Sequence, residues 1–191
     1  MSPDHPPPGT WRPTSEQLER AWNSRVEDVI GPGLDLLFVG INPGLWSGAV
    51  GHHFAHPSSR FWKAIHRSGF TPRLLTAFEE GELLSHGLGL TNLVDRATAA
   101  AKDLSRTELI EGAVQLRRKV RRYRPARLAV LGVGAFRLAF NRPGARVGLQ
   151  QDLVAGTLVW VLPGPSGLNA HYPMAAAVRE FERLRDAMRP G

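Results

Sequence analysis

Short apolar runs recur along this chain with helical segments between them. The run Leu34 to Ile41 (LDLLFVGI) lies between Gly33 and Asn42-Pro43-Gly44, which predicts a buried strand ending in a sharp turn. Leu88 to Leu93, Arg127 to Leu131 and Leu158 to Leu162 predict three further strands, each separated from the next by a stretch of helical period. Strands alternating with helices imply an α/β fold whose mainly parallel sheet is covered on both faces. A first helix is expected from Thr14 or Ser15 as cap, with Leu18, Trp22, Val26 and Val29 recurring every three or four residues. The clearest helix runs from Arg106 to Tyr123, with Leu109, Ala113, Leu116, Val120 and Tyr123 forming one stripe. Its other face carries Arg117, Arg118, Lys119, Arg121 and Arg122, for which a solvated surface is the plain expectation and phosphate binding the alternative. A last helix from about Ala175 to Met188 closes the domain with Val178, Phe181, Leu184 and Met188 on one side. Residues 1–13 hold Pro3, Pro6, Pro7, Pro8 and Pro13 and little to bury, so a tail is expected there, followed by a single domain over 14–191.

Composition narrows the partner. A chain of 191 residues with 42% hydrophobic positions supports one sizeable core. Lys and Arg number 24 against 17 Asp and Glu, a formal charge of +7, and such a field favours an anionic partner such as nucleic acid. The absence of cysteine removes disulfides, cysteine nucleophiles, thiolate zinc sites and iron–sulfur clusters, and suits a reducing cytoplasm. No run approaches the roughly 20 apolar residues of a membrane helix, and the first residues lack the apolar core of a signal peptide. A soluble, untargeted, cytoplasmic protein is expected.

In a sheet of this kind ligands bind beyond the carboxyl ends of the strands. After the first strand stand Asn42-Pro43-Gly44, Ser47, Phe54-Ala55-His56-Pro57 and Arg60-Phe61-Trp62-Lys63; after the last come Pro163 and Gly164-Pro165-Ser166-Gly167-Leu168-Asn169. Four blocks carry a family resemblance: Gly40-Ile41-Asn42-Pro43-Gly44-Leu45, the His-Phe-Ala-His-Pro run into Arg60-Phe61-Trp62, Leu93-Val94-Asp95-Arg96, and Leu162-Pro163 with Pro165-Ser166-Gly167-Leu168. In this order and at these intervals they resemble the mismatch-specific uracil-DNA glycosylases, relatives of the thymine-DNA glycosylases, over about Val26 to Met188.

The resemblance implies a three-layer α/β/α sandwich, base flipping from duplex DNA and hydrolysis of the base–sugar bond with neither metal nor cofactor. Flipping costs about a few kcal/mol, less at a mispair. Phe54 offers a ring for the flipped pyrimidine, worth about 1–3 kcal/mol in stacking. Backbone N–H groups from Ile41 to Gly44 are candidate donors to the pyrimidine and to charge developing on it, and Ser47 and Asn92 join Ile41, Gly44 and Phe54 as substrate-binding candidates. Asn42 corresponds to the family's catalytic asparagine; an amide is no useful base, so its expected role is to hold a water near the sugar carbon. Ser166, Gly167, Leu168 and Asn169 look like the loop that enters DNA, with Leu168 filling the gap left by the base. Asp95, just past a strand end on the same sheet edge as Asn42, is a second catalytic candidate that would activate or orient the water, its alternative being a helix cap or a partner for an Arg.

Three positions depart from the family pattern: Gly164 stands where an Asn is usual, Asn92 where well-known members have Lys, and Ala170 where Arg follows the wedge. Two further motifs point elsewhere. Gly132-Val133-Gly134 has the start of a dinucleotide fingerprint but carries Arg137 at the third glycine position. His52, His53 and His56 lack an accompanying carboxylate in sequence and are expected to line a pocket or the surface and hold no metal. The expected function is excision of uracil, with thymine or modified cytosine as further substrates, from G·U or G·T mispairs in double-stranded DNA by a monomeric enzyme. A glycosylase of broad specificity and a non-catalytic damage binder are the alternatives.

Overall fold

The computed structural model describes residues 12–166 and 172–189. Five strands form one sheet: β1 (Leu36–Gly40), β2 (Leu88–Asn92), β3 (Arg127–Leu131), β4 (Gly148–Val154) and β5 (Thr157–Leu162), in the order β2-β1-β3-β5-β4. All neighbours are parallel except β4, which runs antiparallel to β5 with an irregularity between Leu149 and Leu153. The helices are α1 (Ser15–Arg20), α2 (Leu45–Val50), α3 (Phe61–Arg67), α4 (Arg106–Tyr123), α5 (Val133–Phe140) and α6 (Met174–Met188), and a 3₁₀ segment covers Ala77–His86. Among the described residues no helix is long and apolar enough to cross a membrane.

The pleat of the strands sorts the core into two layers. Leu37, Val39, Leu128, Val130, Val159 and Val161 face Leu109, Leu116 and Val120 of α4 and Phe136 of α5. Leu36, Phe38, Leu90, Leu131 and Leu162 face the other way, onto Phe61 and Ile65 of α3 and Phe181 and Leu184 of α6. Both faces are covered, so the central strands are apolar on consecutive positions rather than alternate ones. This is the expected α/β sandwich.

Helix α4 has the bounds its periodicity predicts. Ser105 accepts from the Glu108 N–H while Glu108 reaches back to the Ser105 N–H, a reciprocal cap that satisfies two otherwise orphaned donors. The first helix is shorter than expected. Thr14 caps it with Gln17 as partner, but it ends at Arg20, because Asn23 adopts a left-handed conformation (φ 62°) and its N–H is taken by Ala97 O at 3.0 Å. Trp22 is consequently exposed, Val26 is buried outside any helix, and Val29 exchanges backbone hydrogen bonds with Leu90 at the sheet edge. Strand β4 has no counterpart in the sequence reading: Gly148–Val154 is mostly exposed, with polar Gln150, Gln151 and Asp152, so it carries no apolar run. Gly132 opens α5 at φ 137° with its N–H on Leu162 O, a structural use of the Gly132-Val133-Gly134 motif. Of the expected Pro-rich tail, residues 1–11 lie outside the described residues, and Pro13 is buried.

Candidate active site

A cavity of about 500 Å³ opens where the turns after β1 and β2, the end of β3 and the segment after β5 converge. That is within the range of small-molecule sites. Its wall contains Ile41, Asn42, Gly44, Ser47, Phe54, Asn92 and Ser166, so the fold brings together residues spread over more than 120 positions of sequence. Gly167, Leu168 and Asn169, expected as the wedge, and Ala170 lie outside the described residues.

The turn after β1 is stitched to the turn after β2. Gly40 O accepts from Leu93 N and Ile41 O from Val94 N, both at 2.9 Å, and Pro43 O accepts from Thr98 N at 3.1 Å. Asn42 hangs between these turns. Its Nδ2 donates to Thr98 Oγ1 at 2.7 Å and to Pro43 O and Arg96 O at 3.1 Å each. Carbonyl oxygens only accept, so the atom facing them must be the nitrogen. The amide is thereby held one way round, and its Oδ1 remains the free acceptor. Thr98 is itself fixed, donating its hydroxyl to Ala100 O at 2.8 Å. Arg96 is fixed by a bidentate pair with Glu108 at 2.5 and 3.1 Å. Hydrogen bonds from the Arg96 guanidinium and from Ser105 lower the Glu108 carboxyl from its ordinary 4.5 to about 2, which keeps this anchor ionised at neutral pH.

Phe54 and Asn92 form another wall. A Cβ at Gly40 would collide with Asn92 Oδ1 and lie 3.3 Å from Phe54 Cζ, so glycine there is required by close approach. The Phe54 ring stacks on Phe61 at 4.2 Å between centroids, with 23° between planes. Its backbone is left-handed (φ 53°), a strained state for a non-glycine residue that the surroundings must impose. They do so on both sides: Ala55 N–H donates to buried Ser47 Oγ at 3.1 Å, and His53 N–H donates to buried Glu80 Oε2 at 2.8 Å. Glu80 Oε1 also holds His52 Nδ1 at 2.8 Å. Among the described residues the backbone N–H groups of Ile41, Asn42 and Phe54, all in cavity-lining residues, have no hydrogen-bond acceptor. Unmatched donors of this kind call for a ligand or solvent.

Asn92 is buried and its Nδ2 lies 3.4 Å from His53 Nδ1, while His53 Nε2 lies 3.0 Å from Glu27 O. Burial lowers the His53 pKa below the ordinary 6.5, outweighing the opposing pull of Glu80. The three histidines diverge: His52 turns to Glu80, His53 to Glu27, and His56 to Ser58. Among the described residues no group of three His, Asp or Glu side chains is placed to hold a metal ion.

Asp95 is the exception among the expected residues that are described. It is absent from the cavity wall, and its Oδ1 lies 3.4 Å from Lys119 Nζ. The chain turns between Asn92 and Asp95, so one faces the cavity while the other faces α4. Lys119 also pairs with Asp28 at 2.7 Å and donates to Thr91 Oγ1 at 2.9 Å. It is therefore half-buried in an ionic cluster, not part of the solvated face expected for the α4 basic run. The described cavity wall contains no carboxylate, and Asp95 faces a basic partner, as in the alternative weighed for it, the partner being Lys119 in place of an Arg.

Thr98 and Glu80 are contributors that sequence reasoning did not single out, and Arg60, quoted there only within a block, has a definite part. Arg60 N–H donates to Pro165 O at 2.9 Å, and its guanidinium donates to Ser166 O at 2.7 Å and Tyr172 O at 2.6 Å. It thus grips the chain on both sides of the expected wedge. Gly164 lines the cavity with open space where a Cβ would stand.

A cavity at the strand ends, an amide fixed to present its oxygen, an aromatic ring and unmatched N–H donors suit a flat polar ring and a water. In agreement, the family model described as Uracil DNA glycosylase superfamily matches residues 27–188. That span holds every wall residue named above and both core layers. The chain belongs to the uracil DNA glycosylase superfamily, the DNA N-glycosylases that act on uracil in DNA.

Proposed function

We propose that this protein is a monofunctional glycosylase that removes uracil, and thymine or modified cytosine at lower rates, from G·U and G·T mispairs in duplex DNA, initiating base excision repair. The observation that carries this reading is the one-way amide of Asn42, which leaves Oδ1 to accept from a water at the cavity wall. The flipped pyrimidine stacks on Phe54, and the amide of Asn92 meets its polar edge. As the glycosidic bond breaks, its electron pair moves onto the base. The N–H groups of Ile41, Asn42 and Phe54 then donate to the developing anion. The sugar becomes oxocarbenium-like, and the water held by Asn42 adds to the anomeric carbon. The described wall holds no carboxylate, its titratable residues being His53 and His56; the water keeps its proton until the carbon–oxygen bond has formed and then loses it to solvent. Leu168 fills the gap in the stack, and Arg60 holds the chain on either side of it.

A mispair reduces the opening cost of about a few kcal/mol, which is why G·U is placed first among substrates. Gly164 favours a second reading, a broad-specificity enzyme, because its open wall removes one polar contact that would narrow the choice of base. The experiment is single-turnover excision in chelator on labelled duplexes with U or T opposite G, U opposite A, and single-stranded U. Fastest cleavage of G·U supports the first reading; equal rates on all uracil substrates select the second. Binding without alkali-labile sites on any substrate overturns both in favour of a damage binder.

A further inference from the structure

An amide reads a base edge only when its nitrogen and oxygen cannot exchange places. Resting on the reading of the cavity as a uracil site, we propose that His53 is a positioning residue that holds the Asn92 amide in one orientation, so that the site accepts an imide edge and rejects cytosine.

The orientation follows from a chain of donors and acceptors that ends in the backbone. Glu27 O, 3.0 Å from His53 Nε2, can only accept, so Nε2 carries the ring proton. Burial keeps the ring neutral against the pull of Glu80 and Asp28, and a neutral imidazole has one N–H. Nδ1 is therefore a lone pair, and the Asn92 atom at 3.4 Å must be the donor Nδ2. Oδ1 is left on the other side, over Gly40, whose missing Cβ makes the room for it. Asn92 then offers the cavity one acceptor, Oδ1, and its remaining N–H. Uracil supplies the complement, an N3–H beside the O4 acceptor. Cytosine supplies the reverse, an N3 acceptor beside the N4 amino donor, and meets acceptor with acceptor and donor with donor. Thymine shares uracil's edge, so this device separates uracil and thymine from cytosine and does not separate them from each other; of the modified cytosines it admits those whose N3–N4 edge is altered. The histidine imposes the choice from behind the reading residue; it is the ring's tautomer, set by a main-chain carbonyl, that specifies the base.

The test compares affinity for duplexes carrying 2′-fluoro-2′-deoxyuridine or 2′-fluoro-2′-deoxycytidine opposite an abasic site. The fluorine slows cleavage, and the abasic partner removes differences in pairing energy. The unaltered protein is expected to favour uridine roughly 10- to 100-fold, the discrimination of one good bidentate contact. His53→Phe, which keeps an aromatic ring and removes the acceptor, is expected to bring the ratio within about threefold, as is Asn92→Ala. A ratio unchanged by Asn92→Ala overturns the reading of the cavity itself. A ratio that collapses in Asn92→Ala but survives in His53→Phe overturns the positioning role alone. Nitrogen-15 spectra of histidine in the unaltered protein ask the same question without a substitution: His53 is expected as the Nε2–H tautomer, and an Nδ1–H tautomer overturns the proposal.

Discussion

The Asn42 nitrogen is fully engaged, so the proposed mechanism assigns the work to its oxygen, and this ranks the residues around it. Asn42→Ala is expected to lower the single-turnover rate about 10²-fold or more, the cost of losing a placed reactant, while duplex affinity changes little. Thr98→Val removes one of three acceptors and keeps two carbonyls; an intermediate loss of rate is expected, with about 1 kcal/mol of stability from the lost hydrogen bonds. Asp95→Ala is expected to cleave at near the unaltered rate, since its carboxylate faces Lys119; a loss as deep as that of Asn42→Ala would return it to the chemistry. Asn42 and Phe54 were legible in sequence because they follow a strand end in blocks that resemble the family, and Asn92 because it stands where well-known members carry Lys. Position alone misleads for Asp95, because the same strand end turns successive side chains in different directions. Thr98, and the pairing of His53 with Asn92, were illegible for another reason: the partners stand 56 and 39 positions away, and such pairings exist only after folding.

At the level of whole elements, α4 follows the carboxyl end of β2 and precedes the amino end of β3. It therefore runs away from the cavity, and Arg117, Arg118, Arg121 and Arg122 lie toward the opposite edge of the sheet. Replacing Arg117 and Arg121 with Gln is expected to leave the slope of log affinity for duplex DNA against log salt unchanged, whereas each lost phosphate contact would reduce it by about 0.9. A flatter slope would place that face on DNA. The amino end of α4 has the opposite character, since Glu108 there fixes Arg96, whose carbonyl orients Asn42. Periodicity revealed α4 and the parallel strands because packing on one or both faces writes itself into the apolar pattern. It missed β4, whose outward residues on an exposed edge strand need not be apolar, and it overran α1, where one left-handed Asn23 outweighs a continuing stripe.

Over the whole molecule, the depressed carboxyls fix how stability responds to acid. Glu79, Glu108, Asp152 and Asp186 all titrate below their ordinary values when folded, so the unfolded chain takes up their protons first. Their contribution is complete above the ordinary carboxylate range and is lost as pH falls, for Glu108 between 4.5 and about 2. His53 has the same sign from its own lowered pKa: stability declines as pH falls below 6.5. Melting temperature is expected to fall with acid from near pH 6.5, with Glu108→Gln flattening the lower part of the curve; a curve flat down to pH 4 would contradict both. The convergence of the cavity wall carries a kinetic consequence. Its parts come from the ends of β1, β2 and β3 and from the segment after β5, so no fragment contains a working site and no early folding intermediate can assemble one. Long-range strand pairing is the slow part of folding in such topologies. Recovered excision during refolding is thus a clock for the final docking of β5, and it should lag the return of helical signal.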